Sequence, residues 1–146
     1  SSFSRIVTLG RQIKRAVGDA TDLVHPDGDE DLNFLYGTIF VGPATGSAHS
    51  RNVCVFAEGE VDRSPTGTGV SGRAAIHHAR GELDVGETIT IESLLGTTFD
   101  VEIVRTSLVG SLQCVIPRVA GSAHITGRHE FWIDPADPLS QGLFLR

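Results

Sequence analysis

The chain has 146 residues, 40% of them hydrophobic, with a formal net charge of −6 and a pI near 5.4. That balance makes one globular domain with a core of its own, and it disfavours nucleic acid or an anionic membrane surface as a partner. No apolar run approaches the length of a membrane-spanning helix and no secretory leader is visible, so the expectation is a soluble, cytoplasmic protein.

From Ser1 to Gly18 the residues Ile6, Leu9, Ile13 and Val17 recur at helical spacing opposite Arg5, Arg11, Lys14 and Arg15, which predicts an amphipathic helix. Gly, Asp and Pro dominate from Asp19 to Glu30, a loop around Leu23-Val24-His25-Pro26 in which His25 reads as a turn residue. Strands are predicted over Asn33 to Val41 and Arg51 to Val61, then over Glu87 to Leu94, Thr98 to Arg105, Leu112 to Arg118 and Gly121 to Ile133. Glycine-containing turns separate the later runs, so these strands are expected to be antiparallel. Cys54 and Cys114 sit inside strand-like runs, away from disulfide or metal spacing, and read as buried, reduced thiols. Two helices with seven or eight strands make an α+β fold. Pro135 and Pro138 keep the tail, Asp134 to Arg146, out of regular structure.

The chemistry is concentrated in DRSPTGTGVSGRAAIHHARGEL, Asp62 to Leu83, where a polar, glycine-rich loop runs straight into a short helix. Val70, Ala74, Ala75 and Ala79 give that helix a narrow face of small apolar residues, Thr68 or Ser71 caps its start, and Gly81 suits its end. The free N–H groups of a first helical turn attract anions, so a carboxylate or phosphate is expected against Gly67, Thr68 and Gly69.

Gly67, Gly69 and Gly72 also satisfy GxGxxG, with Glu92 about twenty residues on, where a ribose-binding acid would be expected. The dinucleotide reading fails because Asp62 to Thr66, including the rigid Pro65, separate the strand from the first glycine. No Gly-Lys-Ser/Thr follows, so the phosphate-loop reading fails as well. His77, His78, His124 and His129 do not make a metal site. Neighbouring residues on a helix point in different directions, and no recognised ligand spacing is present. Arg73 and Arg80 read as solvated helix positions, with Arg73 near enough to the loop to assist an anion.

The stretch from Asp62 to Leu83 resembles the signature of the proline racemase family, which includes hydroxyproline epimerases and trans-3-hydroxy-L-proline dehydratases. The family's usual form is DRSPCGTG, and here Thr66 stands in place of the cysteine. The resemblance extends through His25-Pro26, Arg51-Asn52-Val53, the LLGTTF run at Leu94 to Phe99, the GSAHITG run at Gly121 to Gly127 and the DPADPLSQGLF tail. It implies a fold resembling that of diaminopimelate epimerase, with a mixed, mostly antiparallel, barrel-like sheet wrapped around a central helix. It also implies that residues 1–133 correspond to the second of two similar halves. Residues 134–146 would then be a tail turning back towards the first half, which normally carries a Cys-Gly-His motif with a catalytic base. Nothing in this chain matches that motif. In some relatives a polar residue near Thr38 approaches the substrate.

What the resemblance implies about chemistry is specific. Asp62 is expected to accept from a substrate ammonium or ring N–H, and its alternative role is that of a turn-initiating residue. Gly67 and Thr68 are expected to donate backbone N–H groups to a carboxylate as negative charge grows on α-proton removal. Racemases of the family use a cysteine pair on opposite faces of the α-carbon, and a threonine hydroxyl without an activating base cannot act as a thiolate does. Elimination needs a base on one face only. The expected activity is therefore dehydration of trans-3-hydroxy-L-proline to Δ1-pyrroline-2-carboxylate without a cofactor. Alternatives are proline racemase, 4-hydroxyproline 2-epimerase or a non-catalytic amino-acid-binding module. The implied partners are the small-molecule substrate, the absent first half and, in a homodimer, a second copy.

Overall fold

A computed structural model describes residues 2–143. The amphipathic pattern near the start folds as helix α1 (Ser2–Ala20). A loop and a 3-10 turn at Glu30–Leu32 follow, with the Asp29 side chain accepting from the Asp31 N–H. Strands β1 (Gly37–Gly42), β2 (Ser50–Phe56) and β3 (Glu60–Val61) lead to helix α2 (Gly67–Ala79), and β4 (Thr88–Ser93), β5 (Thr98–Val109) and β6 (Leu112–Gly121) complete the sheet. The α+β class is as expected.

The six strands form one mixed sheet in the order β1-β2-β4-β5-β6, with β3 added to β2. Only β2 and β4 pair in parallel, because the chain crosses through α2 between them. The sheet is open. No pairing joins β1 to β6 among the described residues, so the barrel-like closure around a helix does not occur.

Strand alternation divides β2 between two helices. Val55 faces α1, where Gly10 allows an approach so close that a Cβ there would lie 2.6 Å from the Val55 Cβ. Asn52 and Ser50 point the other way and meet Arg73 of α2. The two helices therefore cover opposite faces of the sheet near β2. Under α2 lies the main core, formed by Val70, Ala74, Leu83, Ile91, Val101 and Ile103, with Ile89, Phe99 and Val115 packed against it.

Three sequence expectations are corrected. Asn33 to Tyr36 precede β1 instead of belonging to it, with Tyr36 stacked on Phe56 at 5.6 Å. Helix α2 is not capped by Thr68 or Ser71, which lie inside it; its N-cap is Thr66, and the Ser71 hydroxyl donates back to the Gly67 carbonyl. The run from Gly121 to Ile133 is not a strand beyond Gly121, despite its β-forming residues. Gly121 pairs with Phe99, next to the first residue of β5, so the chain beyond it has no neighbouring strand to bond with. Ile125, Phe131 and Trp132 are 95, 86 and 87% exposed, which leaves that segment without a core among the described residues. Six strands form among the described residues where seven or eight were expected.

At the other end of α2 the expected stop is present. Gly81 has φ +70°, its N–H donates to the His78 carbonyl, and the Glu82 N–H donates to the His77 carbonyl. These two bonds make a Schellman motif, whose left-handed residue glycine adopts without a Cβ penalty.

Candidate functional site

The loop between β3 and α2 is held by its own side chains. Asp62 accepts from the Ser64 N–H at 2.8 Å through one oxygen and from the Thr66 hydroxyl at 2.9 Å through the other. It is thus the turn-initiating residue that sequence allowed, yet each oxygen keeps a further lone pair for a ligand donor. The Ser64 hydroxyl in turn accepts from the Thr66 N–H.

Thr66 has φ +69° and ψ 108°, an outlying conformation for a β-branched residue. It is fixed through its N–H, its hydroxyl and its carbonyl, the last accepting from the Val70 N–H at 2.8 Å. That first intrahelical bond leaves the N–H groups of Gly67, Thr68 and Gly69 without intrahelical acceptors, and among the described residues the N-cap side chain does not cap them. The structure thus brings Asp62, Thr66, Gly67 and Thr68 together at the start of α2, with Asp62 and Thr66 in direct contact. A Cβ on Gly67 would meet nothing within 4 Å, whereas one on Gly69 would collide with Ile39.

Cys54 lies buried on β2 beneath this loop. Burial pushes its thiol pKa up, the neighbouring Thr66 hydroxyl acts in the opposite sense, and Asp62 adds to the rise. A thiol held protonated in this way is not an activated nucleophile or base. Both cysteines are free; Cys54 is buried as expected, whereas Cys114 is only half-buried.

Several supports were not legible as functional residues. Asn52, buried on β2, donates from its amide to the Pro65 carbonyl at 3.2 Å. Thr97, in the turn between β4 and β5, donates its hydroxyl to the Arg63 carbonyl at 3.1 Å and shares a 2.7 Å contact with the Ser93 hydroxyl. Arg73 is not the solvated position its sequence suggested: its guanidinium is half-buried and donates to Asn52 and Ser50 at 2.7 and 2.8 Å. Those bonds turn it away from the anion-assisting role.

Other candidates lie elsewhere. Thr38 donates to the Gly10 carbonyl on the α1 side of the sheet, away from the Asn52 face. Glu92, at the position a ribose-binding acid would take, accepts from Thr45 and Arg51. These bonds, those from Thr45 first, hold its carboxyl down at about 2. His77 pairs with Glu82, His78 with the Leu83 carbonyl, and His129 stacks on Phe131. No three-residue metal cluster occurs among the described residues.

A family model described as proline racemase matches residues 1–144. A trans-3-hydroxy-L-proline dehydratase from Colwellia psychrerythraea is 46% identical over 143 residues, covering 97% of this chain and 40% of its own length. A proline racemase from Clostridioides difficile is 38% identical over 142 residues, covering 97% and 42% respectively. Among solved structures, a hydroxyproline epimerase from Agrobacterium vitis with bound trans-4-OH-L-proline superposes with a TM-score of 0.80 at 31% identity, over 97% of this chain and 40% of that one. The chain therefore spans about two-fifths of the length of these relatives. With its DRSPTGTG loop leading into α2, the chain belongs to the proline racemase family.

Proposed function

We propose that this chain supplies one side of the active site of a trans-3-hydroxy-L-proline dehydratase. The observation that carries the reading is Thr66. Its hydroxyl stands at the start of α2, where racemases of the family have an acid/base cysteine, and it is engaged with Asp62.

In this mechanism Asp62 accepts from the substrate nitrogen through its remaining lone pairs, while the Gly67 and Thr68 N–H groups receive the carboxylate. A base outside the described residues takes the α-proton. Charge accumulating at the α-carbon and carboxylate is stabilised by the positive end of α2. The bond from C3 to its hydroxyl then breaks, the hydroxyl leaving as water with a proton, and the resulting enamine tautomerises to Δ1-pyrroline-2-carboxylate. Thr66 lines the face on which a racemase would return a proton. An alcohol does not exchange protons there as a thiolate does, so elimination proceeds and inversion does not.

The base belongs, on this reading, to a first half matching the portion of the relatives that the chain does not span. Residues 1–133 then form the second domain, and the exposed Phe131 and Trp132 together with the 134–143 segment turn towards that half. The test is the full-length enzyme assayed on trans-3-hydroxy-L-proline and on L-proline. Formation of Δ1-pyrroline-2-carboxylate without proline racemisation is expected, and racemisation of proline without dehydration would overturn the assignment.

A further inference from the structure

The strained Thr66 is connected to the far side of α2 by a continuous chain of polar contacts. Glu82 holds the His77 ring at 2.6 Å, and the other nitrogen of that ring lies 3.3 Å from the Arg73 guanidinium. Arg73 donates to Asn52 at 2.7 Å and to Ser50 at 2.8 Å, and Asn52 donates to the Pro65 carbonyl at 3.2 Å. Asn52 is 1% exposed and Ser50 5%. The Pro65 carbonyl belongs to the peptide that enters Thr66, whose positive φ aims the first turn of α2. A half-buried guanidinium and a buried amide are costly to desolvate unless partnered; here Arg73 holds Asn52, and Asn52 in turn holds that one peptide.

We propose that Arg73 and Asn52 are positioning residues: they fix the Pro65–Thr66 peptide and through it the direction in which the Gly67 and Thr68 N–H groups face the substrate carboxylate. Neither residue touches the proposed ligand. The inference rests on the reading of this loop as the carboxylate site.

The test uses the full-length enzyme and pyrrole-2-carboxylate, whose flat ring mimics a planar α-carbon. Asn52→Asp keeps the acceptor for Arg73 but replaces the donor to Pro65 with an oxygen. Arg73→Lys keeps the charge but reaches only one of the two acceptors, since an ammonium lacks the guanidinium fork. Because small misplacements of positioning groups cost on the order of a hundredfold, kcat/KM per folded molecule should fall about a hundredfold in Asn52→Asp and by an intermediate factor in Arg73→Lys. Affinity for pyrrole-2-carboxylate should fall in the same order while the thermal melts stay cooperative. A merely structural role would lower the melting temperature and leave both readouts unchanged, and that result would overturn the proposal; Arg73→Lys decides it if Asn52→Asp does not fold. Asp62→Ala, measured in parallel, separates the two readings. If it leaves analogue affinity intact, the reading of this loop as the substrate site falls and the inference with it. If it loses affinity while Asn52→Asp and Arg73→Lys keep theirs, the positioning role alone is overturned.

Discussion

The Thr66 hydroxyl donates to Asp62 at 2.9 Å, so the residue replacing the racemase cysteine and the proposed amine acceptor form one unit. A change at either residue must therefore be read through the other.

Thr66→Ala in the full-length enzyme should leave α-proton exchange with solvent largely intact even if elimination slows, because the base lies elsewhere on the proposed mechanism. Thr66→Cys should add epimerase or racemase activity towards 4-hydroxyproline or proline by restoring an acid/base on the second face. Solvent-deuterium exchange followed alongside product formation checks both. Abolished exchange in Thr66→Ala would make Thr66 part of the base machinery and end the one-base assignment.

On the proposed mechanism Asp62→Ala removes a hydrogen bond to a charged group, a contribution of about 1.5–3 kcal/mol, so kcat/KM should fall by roughly ten to two hundredfold. The loss should exceed that of Thr66→Ala. Steady-state kinetics on trans-3-hydroxy-L-proline measure it, and a fall of less than twofold would remove Asp62 from the substrate site.

Glu92 provides a pH signature. Hydrogen bonds from Thr45 and Arg51 depress its carboxyl from 4.5 to about 2 in the folded protein. A depressed acid stabilises the fold above its unfolded value, and that contribution is lost as pH falls through the folded one. Glu92→Gln should therefore destabilise the protein at neutral pH, with the difference from the parent shrinking between about 4.5 and about 2. Urea unfolding at a series of pH values checks this, and a difference independent of pH would show that the Arg51 contact does not depend on ionised Glu92.

Two glycines of α1 should respond with opposite signs. A Cβ at Gly10 would lie 2.6 Å from the Val55 Cβ, whereas one at Gly18 meets nothing within 4 Å. Overpacking costs about 1–3 kcal/mol and exceeds the roughly 1 kcal/mol that alanine gains over glycine inside a helix. Gly10→Ala should thus destabilise and Gly18→Ala should stabilise by up to about 1 kcal/mol. Denaturant midpoints compare them, and equal shifts would mean that α1 does not seat on β2 as described.

Local patterns in the sequence determined α1, the heart of most strands, the α+β class and the loop that opens α2. Helical periodicity, strand-forming runs and the left-handed glycine at Gly81 act over a few residues, so they are readable in one dimension. The DRSPTGTG stretch likewise marked where a glycine-rich loop runs into a helix, and its threonine set elimination against racemisation as hypotheses. Tertiary structure decided what distant residues do to that loop. Arg73 is nearly two turns into a helix and looks solvated in sequence, but the side of β2 on which Asn52 and Ser50 stand draws it inward. Thr38 has the polarity of a site residue, yet strand alternation turns it to the α1 face and the Gly10 carbonyl. The run after Gly121 has strand composition and remains irregular, because a strand requires a neighbouring edge and β5 begins at Thr98. Composition sets what a segment prefers, but hydrogen-bond partners and strand faces are set by where the rest of the chain goes.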